Sequence, residues 1–156
     1  GAVADFLEKG RTHFAANRVD LNAVVDTRLF PDMLPFRFQV QSVAHHSLGA
    51  IAGVKAGLFQ PPPPAPADDY PTLQQLVADA RVALQRVTPA EVNALEGRAV
   101  AFQIRDVKMP FTAEGFLLSF SLPNFYFHAT TAYDILRMKG VPLGKRDFLG
   151  QMRLKG

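Results

Sequence analysis

The chain has 156 residues, of which 48% are hydrophobic and 20% charged, a balance typical of a folded domain with one sizeable core. It contains no cysteine, which excludes disulfides, zinc-thiolate sites and thiol nucleophiles, so any metal must be held by histidines and carboxylates. The net charge is only +3, with no dense basic face and no apolar run of membrane-spanning length, so we expect one cytoplasmic domain over residues 1–156 that binds neither nucleic acid nor membranes.

The first part of the chain predicts two helices. Apolar residues at near-helical spacing predict a helix over Ala2–Ala16, and since no capping residue precedes it, we expect it to be truncated at its N-terminus. Asp20 predicts the cap of a short second helix over Leu21–Leu29. The Phe30-Pro31 pair ends that helix, because a residue before proline avoids the helical conformation.

A long helix is predicted from Pro35 to about Ala56. Gly49 and Gly53 lie within it. Because a mid-helix glycine costs roughly 1 kcal/mol against alanine, we expect another helix or a ligand to approach closely there. The next stretch, Gly57–Pro71, has consecutive prolines and predicts an extended polyproline-type connection.

A third helix and a hairpin are predicted next. Thr72 predicts the start of a helix that runs to about Val87, and Thr88-Pro89 predicts a short helical turn. Alternation over residues 100–105, followed by a turn at 106–108, predicts a small β-hairpin. A two-stranded ribbon is not stable alone, so it must pack on the helices.

The last long helix is predicted to begin after Thr112, which caps it, and to end at Gly140. Pro123 lies inside it and predicts a kink, because proline removes one backbone hydrogen bond. The kink falls one turn before His128. The tail after the helix is predicted to be irregular.

Histidines stand out on both long helices. His128 lies in the aromatic run PNFYFHATTAY, and its helical neighbours form a polar stripe: Ser121, Asn124 and Thr131. On the earlier helix, Gln39, Ser42 and His46 share one side, while His45 lies on the adjacent side. Because consecutive residues are about 100° apart, only one of His45 and His46 is expected to face the interior squarely.

Two functional hypotheses follow from these histidines. Facing helices with inward imidazoles can build a metal site or an acid/base pair. The first hypothesis is therefore a metal- or histidine-dependent small-molecule enzyme, with His128 and one of the adjacent histidines, His45 or His46, as ligands or catalytic groups and Gln39, Asn124 and Tyr133 orienting the substrate. The second is a non-catalytic binding or dimerisation module, with the aromatic helix at a subunit interface and the histidines hydrogen-bonded inside.

Three segments carry a resemblance to a known superfamily: LFPDMLPFRFQVQ, PNFYFHATTAYDILR and GVPLGKRDFLG. Together with the histidines on the two long helices, they resemble the DinB/YfiT-like helical bundles, and in particular a branch known as a domain of unknown function. The resemblance extends over nearly the whole chain. It implies an all-α fold, an up-down-down-up four-helix bundle that is often a homodimer, here with the small β-hairpin before the last helix.

The resemblance also implies a site. Better-understood relatives hold a divalent metal, such as zinc or nickel, with one histidine on the second helix and an HxxxH pair on the fourth, and some use low-molecular-weight thiols. His45 matches the first ligand, with His46 as the alternate, and His128 matches the first residue of the pair. Ala132 stands where the second should be, so the implied ligand set is incomplete. This departure argues against carrying over a thiol-transfer or isomerase activity.

Overall fold

A computed structural model of the chain describes residues 1–62, 68–152 and 154–155. Helices dominate this structure, and a small three-stranded sheet lies beside them. The helices are α1 (Ala2–Ala16), α2 (Leu21–Val25), α3 (Phe36–Ala44), α4 (Ala50–Ala56), α5 (Tyr70–Gln85), α6 (Pro89–Asn93), α7 (Ala113–Gly115), α8 (Leu122–Met138) and α9 (Lys145–Leu149). The strands are β1 (Leu58–Phe59), β2 (Ala99–Ile104) and β3 (Val107–Thr112). Part of the predicted polyproline connection, residues 63–67, lies outside the described residues.

The predicted helix from Pro35 to Ala56 is present, with one irregularity. Between α3 and α4 the segment His45–Gly49 is π-helical, and the backbone stays helical on both sides of it. Gly57 ends α4 in the left-handed conformation, with φ 75°, which glycine adopts without strain. A π-helical turn holds about one more residue than an α-helical turn, so it shifts the helical register of everything that follows.

The last long helix has the same kind of irregularity. The predicted cap is confirmed, since the Thr112 side chain accepts a hydrogen bond from the Gly115 backbone N–H, and Gly140 follows the helix with φ 88°. Between α7 and α8 the segment Phe116–Ser121 is π-helical, and Pro123 lies in the first turn of α8 directly after it. Pro123 has no backbone N–H to donate, so the irregular hydrogen bonding falls just before it.

The predicted hairpin is present but belongs to a larger sheet. Strands β2 and β3 pair antiparallel, from Ala99 opposite Thr112 to Ile104 opposite Val107. Strand β1, which the sequence did not predict, pairs parallel with β2. An added Cβ on Gly53 would lie 2.8 Å from Phe59 Cδ2, so the glycine allows β1 to pack against α4. The close approach at Gly53 is therefore made by a strand and not by the helix or ligand that was expected.

Three predicted boundaries are corrected. Helix α5 begins at Tyr70 and not after Thr72, because the Asp69 carboxylate accepts from the Thr72 N–H at 2.8 Å and Pro71 fits the first turn. The tail is not irregular throughout, since it forms the short helix α9. Helix α2 stops at Val25, four residues before the predicted end.

The buried side chains form two clusters. The first core lies between α1, α3, α5 and α8 and includes Phe6, Phe36, Val43, Tyr70 and Ile135. The second core lies against the sheet and consists of Ala50, Val54, Phe59, Leu95, Val100, Ala113 and Phe116. Both π-helical segments lie where their helix passes from one core to the other. No helix in the described part of the chain combines the length and apolar content that crossing a membrane requires.

Candidate functional site

His128 of α8 faces Gln39 of α3, and a chain of hydrogen bonds fixes its ring. Gln39 is 2% exposed, and its Nε2 donates to the Leu34 carbonyl oxygen at 2.8 Å. Its Oε1 lies 2.8 Å from Nδ1 of His128. Because the Leu34 carbonyl can only accept, it fixes the orientation of the amide, and the hydrogen of the second contact must be on Nδ1. Nε2 of His128 therefore carries the lone pair.

His46 lies next to His128. The two ring centroids are 5.8 Å apart, with 17° between the ring planes. The Ser121 hydroxyl donates to the His46 carbonyl oxygen at 2.9 Å and lies 3.5 Å from His46 Nδ1. Since the carbonyl takes the only hydroxyl hydrogen, the longer contact favours the tautomer of His46 that has its hydrogen on Nδ1. In that tautomer Nε2 of His46, like that of His128, carries a lone pair.

His45 is directed elsewhere. Its Nε2 lies 2.7 Å from the Gln60 carbonyl oxygen and donates to it, and its ring centroid lies 4.3 Å from that of Phe59. The structure therefore brings His46, the alternate in the sequence analysis, against His128, and His45 helps to hold the chain that follows β1. Gln39, Ser42 and His46 share one helical side, and this side faces α8.

The surroundings of the histidine pair are aromatic. Four phenylalanine rings lie within 6 Å, centroid to centroid: Phe38 and Phe127 beside His128, and Phe59 and Phe120 beside His46. Burial lowers the pKa of His128 to about 4 and, with smaller contributions from the neighbouring His45 and His128, lowers the pKa of His46 to about 4. Burial also lowers the pKa of His45, although its hydrogen bond to Gln60 opposes this. At neutral pH these imidazoles are uncharged.

The remaining predicted substrate residues have other contacts. Asn124 Nδ2 donates to the Phe120 carbonyl oxygen at 2.7 Å, one turn earlier on the same helix. The Tyr133 ring packs edge-on against Phe6 and Phe148, at centroid distances of 6.1 and 5.7 Å. Asn124 thus takes part in local helix hydrogen bonding, and Tyr133 packs beside the first core.

The residues do not fit the three-ligand metal centre that the resemblance implies. Within residues 1–62, 68–152 and 154–155, no group of three or more histidines and carboxylates lies close enough together to hold a metal ion. Ala132, at the position of the missing ligand, is fully buried in the first core. His46 and His128 alone are one protein ligand short of a catalytic zinc site.

The free nitrogens of the pair can be reached from solvent. In the described part of the chain, Arg37 Nε is the single buried side-chain nitrogen or oxygen without a hydrogen-bond partner. Nε2 of His46 and Nε2 of His128 have no hydrogen-bond partner among these residues and are not among the buried atoms without one, so each nitrogen keeps some exposed surface. A hydrogen-bond donor from solvent can therefore reach each of them.

Comparison with known proteins agrees with this architecture. No curated protein matches the chain. The crystal structure of a DinB family member protein from Shewanella denitrificans is similar, with a TM-score of 0.77 and 25% sequence identity over 99% of this chain and 87% of that one. The family described as a domain of unknown function (DUF1993) matches residues 1–149. The resemblance seen in the sequence is confirmed: the chain belongs to the DUF1993 family, a DinB-like branch of unknown function.

Proposed function

We propose that the chain is a histidine-dependent enzyme that acts on a small molecule, with His128 as the group that receives a proton or hydrogen bond from it. One observation carries the proposal: the buried Gln39 amide connects the Leu34 carbonyl to His128 and leaves Nε2 of that ring free. A proton acceptor whose other nitrogen is held by a third group is the arrangement that general-base catalysis uses. His46 supplies a second acceptor beside it.

The geometry supports a short proton transfer. A hydroxyl of a bound molecule donates to Nε2 of His128. As its proton moves to that nitrogen, the ring becomes an imidazolium, and the hydroxyl oxygen keeps the electron pair of the broken O–H bond and becomes the nucleophile. Gln39 Oε1 continues to accept from Nδ1 and stabilises the new charge. Because the pKa of His128 is lowered to about 4, the neutral ring is a weak base at neutral pH, so it holds the proton only transiently and returns it readily. No step requires a metal.

The arrangement of the helices supports a finer fold assignment. Helix α3 packs against α8 and α5, and α1 packs against α5 and α8. We infer that the four long helical segments, α1, α3–α4, α5 and α7–α8, form an up-down-down-up bundle of the DinB type. The similarity to the Shewanella denitrificans protein supports this inference.

The proposal is tested by screening a small-molecule library for binding to the wild type, His128→Ala and the control His13→Ala. Ligands that bind the wild type and the control, but not a folded His128→Ala variant, would support it. A large loss of stability in His128→Ala without any lost ligand would favour a structural role for the ring. Elemental analysis of untagged protein adds a second test, because stoichiometric metal that disappears in both His46→Ala and His128→Ala would replace this mechanism with a metal-dependent one.

A second candidate function is a non-catalytic dimerisation module. It is favoured by apolar side chains that the last long helix exposes: Leu118 at 68%, Leu122 at 41%, Tyr126 at 52% and Phe127 at 57%. The first three are spaced four residues apart and so share one face of the helix. Sedimentation velocity of the wild type and Leu122→Glu tests this candidate, since a homodimer through this face should dissociate in the variant.

A further inference from the structure

The polar atoms that the histidine pair offers to a ligand are all of one kind. Nε2 of His46 and Nε2 of His128 both carry lone pairs and can only accept. The hydrogen-bonding groups beside them are already used, because Gln39 contacts Leu34 and His128, and the Ser121 hydroxyl donates to the His46 carbonyl. A ligand that satisfies this site must therefore bring the hydrogen itself.

No charged side chain in the described part of the chain forms an ion pair with His46 or His128. The five described ion pairs lie elsewhere on the protein. Among the described residues, the ionisable groups that influence the pKa of His46 are His45 and His128. The pKa of His128 is lowered by burial alone. A bound carboxylate or phosphate would face two lone pairs without a compensating cation, and a bound ammonium would lose water without gaining a carboxylate.

The surface around the histidine pair favours a particular shape for the apolar part of the ligand. Phe38, Phe59 and Phe120 line the pair, and Phe127 lies beside His128 with its centroid 5.2 Å away. Phenylalanine rings make favourable edge-to-face and offset contacts with another aromatic ring at centroid distances of about 4.5–7 Å. The apolar part of a ligand is best accommodated if it is flat and aromatic.

We propose that the histidine pair recognises an uncharged hydrogen-bond donor on an aromatic frame, of which phenol is the simplest example. The inference rests on the proposed function, since it names the class of molecule that the same site takes. The hydroxyl donates to Nε2 of His128 or His46, and the ring lies against the phenylalanines. Anisole has the same ring but no donor, benzoate carries a negative charge and benzylammonium a positive one.

The experiment is an NMR titration of wild-type protein labelled with ¹⁵N in its histidine rings, using these four compounds. Before titration, the spectra should show hydrogen on Nδ1 and none on Nε2 for both His46 and His128. Phenol should then shift the Nε2 signals, and it should bind roughly fivefold more tightly than anisole, benzoate or benzylammonium, because one hydrogen bond contributes ~1 kcal/mol. The His13→Ala variant should bind phenol as the wild type does, and His46→Ala should bind it more weakly.

Contrary results are informative in different ways. If benzoate, benzylammonium or anisole shifts the Nε2 signals at least as strongly as phenol does, the ligand class is wrong while a histidine-dependent site remains. Hydrogen found on Nε2 of His128 in the free protein would also overturn the inference. If none of the four compounds shifts either ring, both the inference and the small-molecule site beneath it are contradicted.

Discussion

Gln39→Leu removes the amide between Leu34 and His128 while keeping a side chain of similar size in the same buried position. Two hydrogen bonds are lost, each 2.8 Å long in the wild type. Leu34 as a residue is 48% exposed, so we expect water to replace the amide at its carbonyl oxygen at little cost. The His128 Nδ1–H is half-buried, and a buried donor left without a partner costs about 1–3 kcal/mol.

The apolar leucine recovers part of this loss, because it needs no hydrogen bonds in the core. We therefore expect the free energy of unfolding to fall by about 1–2 kcal/mol. Gln41→Leu is the matched control, since Gln41 lies on the same helix and its Nε2 donates to Asp68 at 2.8 Å in a less buried place. That variant should lose less than about 1 kcal/mol, as is usual for a partly exposed hydrogen bond.

Urea unfolding of both variants measures the stability change, and ¹⁵N spectra of the imidazoles measure the tautomer. In Gln39→Leu the His128 ring should populate both neutral tautomers, because nothing then holds the hydrogen on Nδ1. The reasoning is refuted if Gln39→Leu is as stable as Gln41→Leu and its His128 ring still carries hydrogen on Nδ1 alone.

Two further predictions concern pH and packing. The pKa of His46 and that of His128 are lowered from 6.5 to about 4 on folding, so the unfolded chain binds more protons and stability, complete above pH 6.5, is lost as the pH falls towards 4. After discounting for partial exposure, we expect a loss of about 2 kcal/mol, measured by urea unfolding at pH 7 and pH 4.5; a double His46→Gln, His128→Gln variant with the same pH dependence would contradict it. Gly53→Ala should lower the Tm, because its Cβ would lie 2.8 Å from Phe59 Cδ2, and the expected overpacking cost of about 1–3 kcal/mol exceeds the ~1 kcal/mol gain in helix propensity. A raised Tm would show that β1 yields to the added methyl group.

The predictable parts of the fold are those whose cause is local. Asp20, Thr88 and Thr112 each cap the helix that follows them, because a side-chain oxygen reaches a backbone N–H only two or three residues away. Strand β1 has only two residues, and its pairing with β2 depends on a contact more than forty positions along the chain. The sequence around Leu58 does not predict that contact.

The candidate site also has a part that local sequence predicts and a part that depends on distant contacts. Helical periodicity placed Gln39 and His46 on one side, and the structure directs that side towards α8. The choice of His45 came from matching positions with relatives, and the structure instead bonds that ring to Gln60. The aromatic wall from Phe59 was not predictable, because it reaches the histidines only through β1.

Each of the two long helices packs in one core before its π-helical segment and in the other core after it. Phe36 and Val43 precede the His45–Gly49 segment and belong to the first core, whereas Ala50 and Val54 follow it and belong to the second. One extra residue in a turn rotates the rest of a helix by about 100°. Deleting a single residue from that segment should therefore turn the apolar side of α4 away from the sheet, so that residue number there matters more than residue identity. His46 lies within this segment, so a change in its length would also shift the His46 ring relative to His128 on α8.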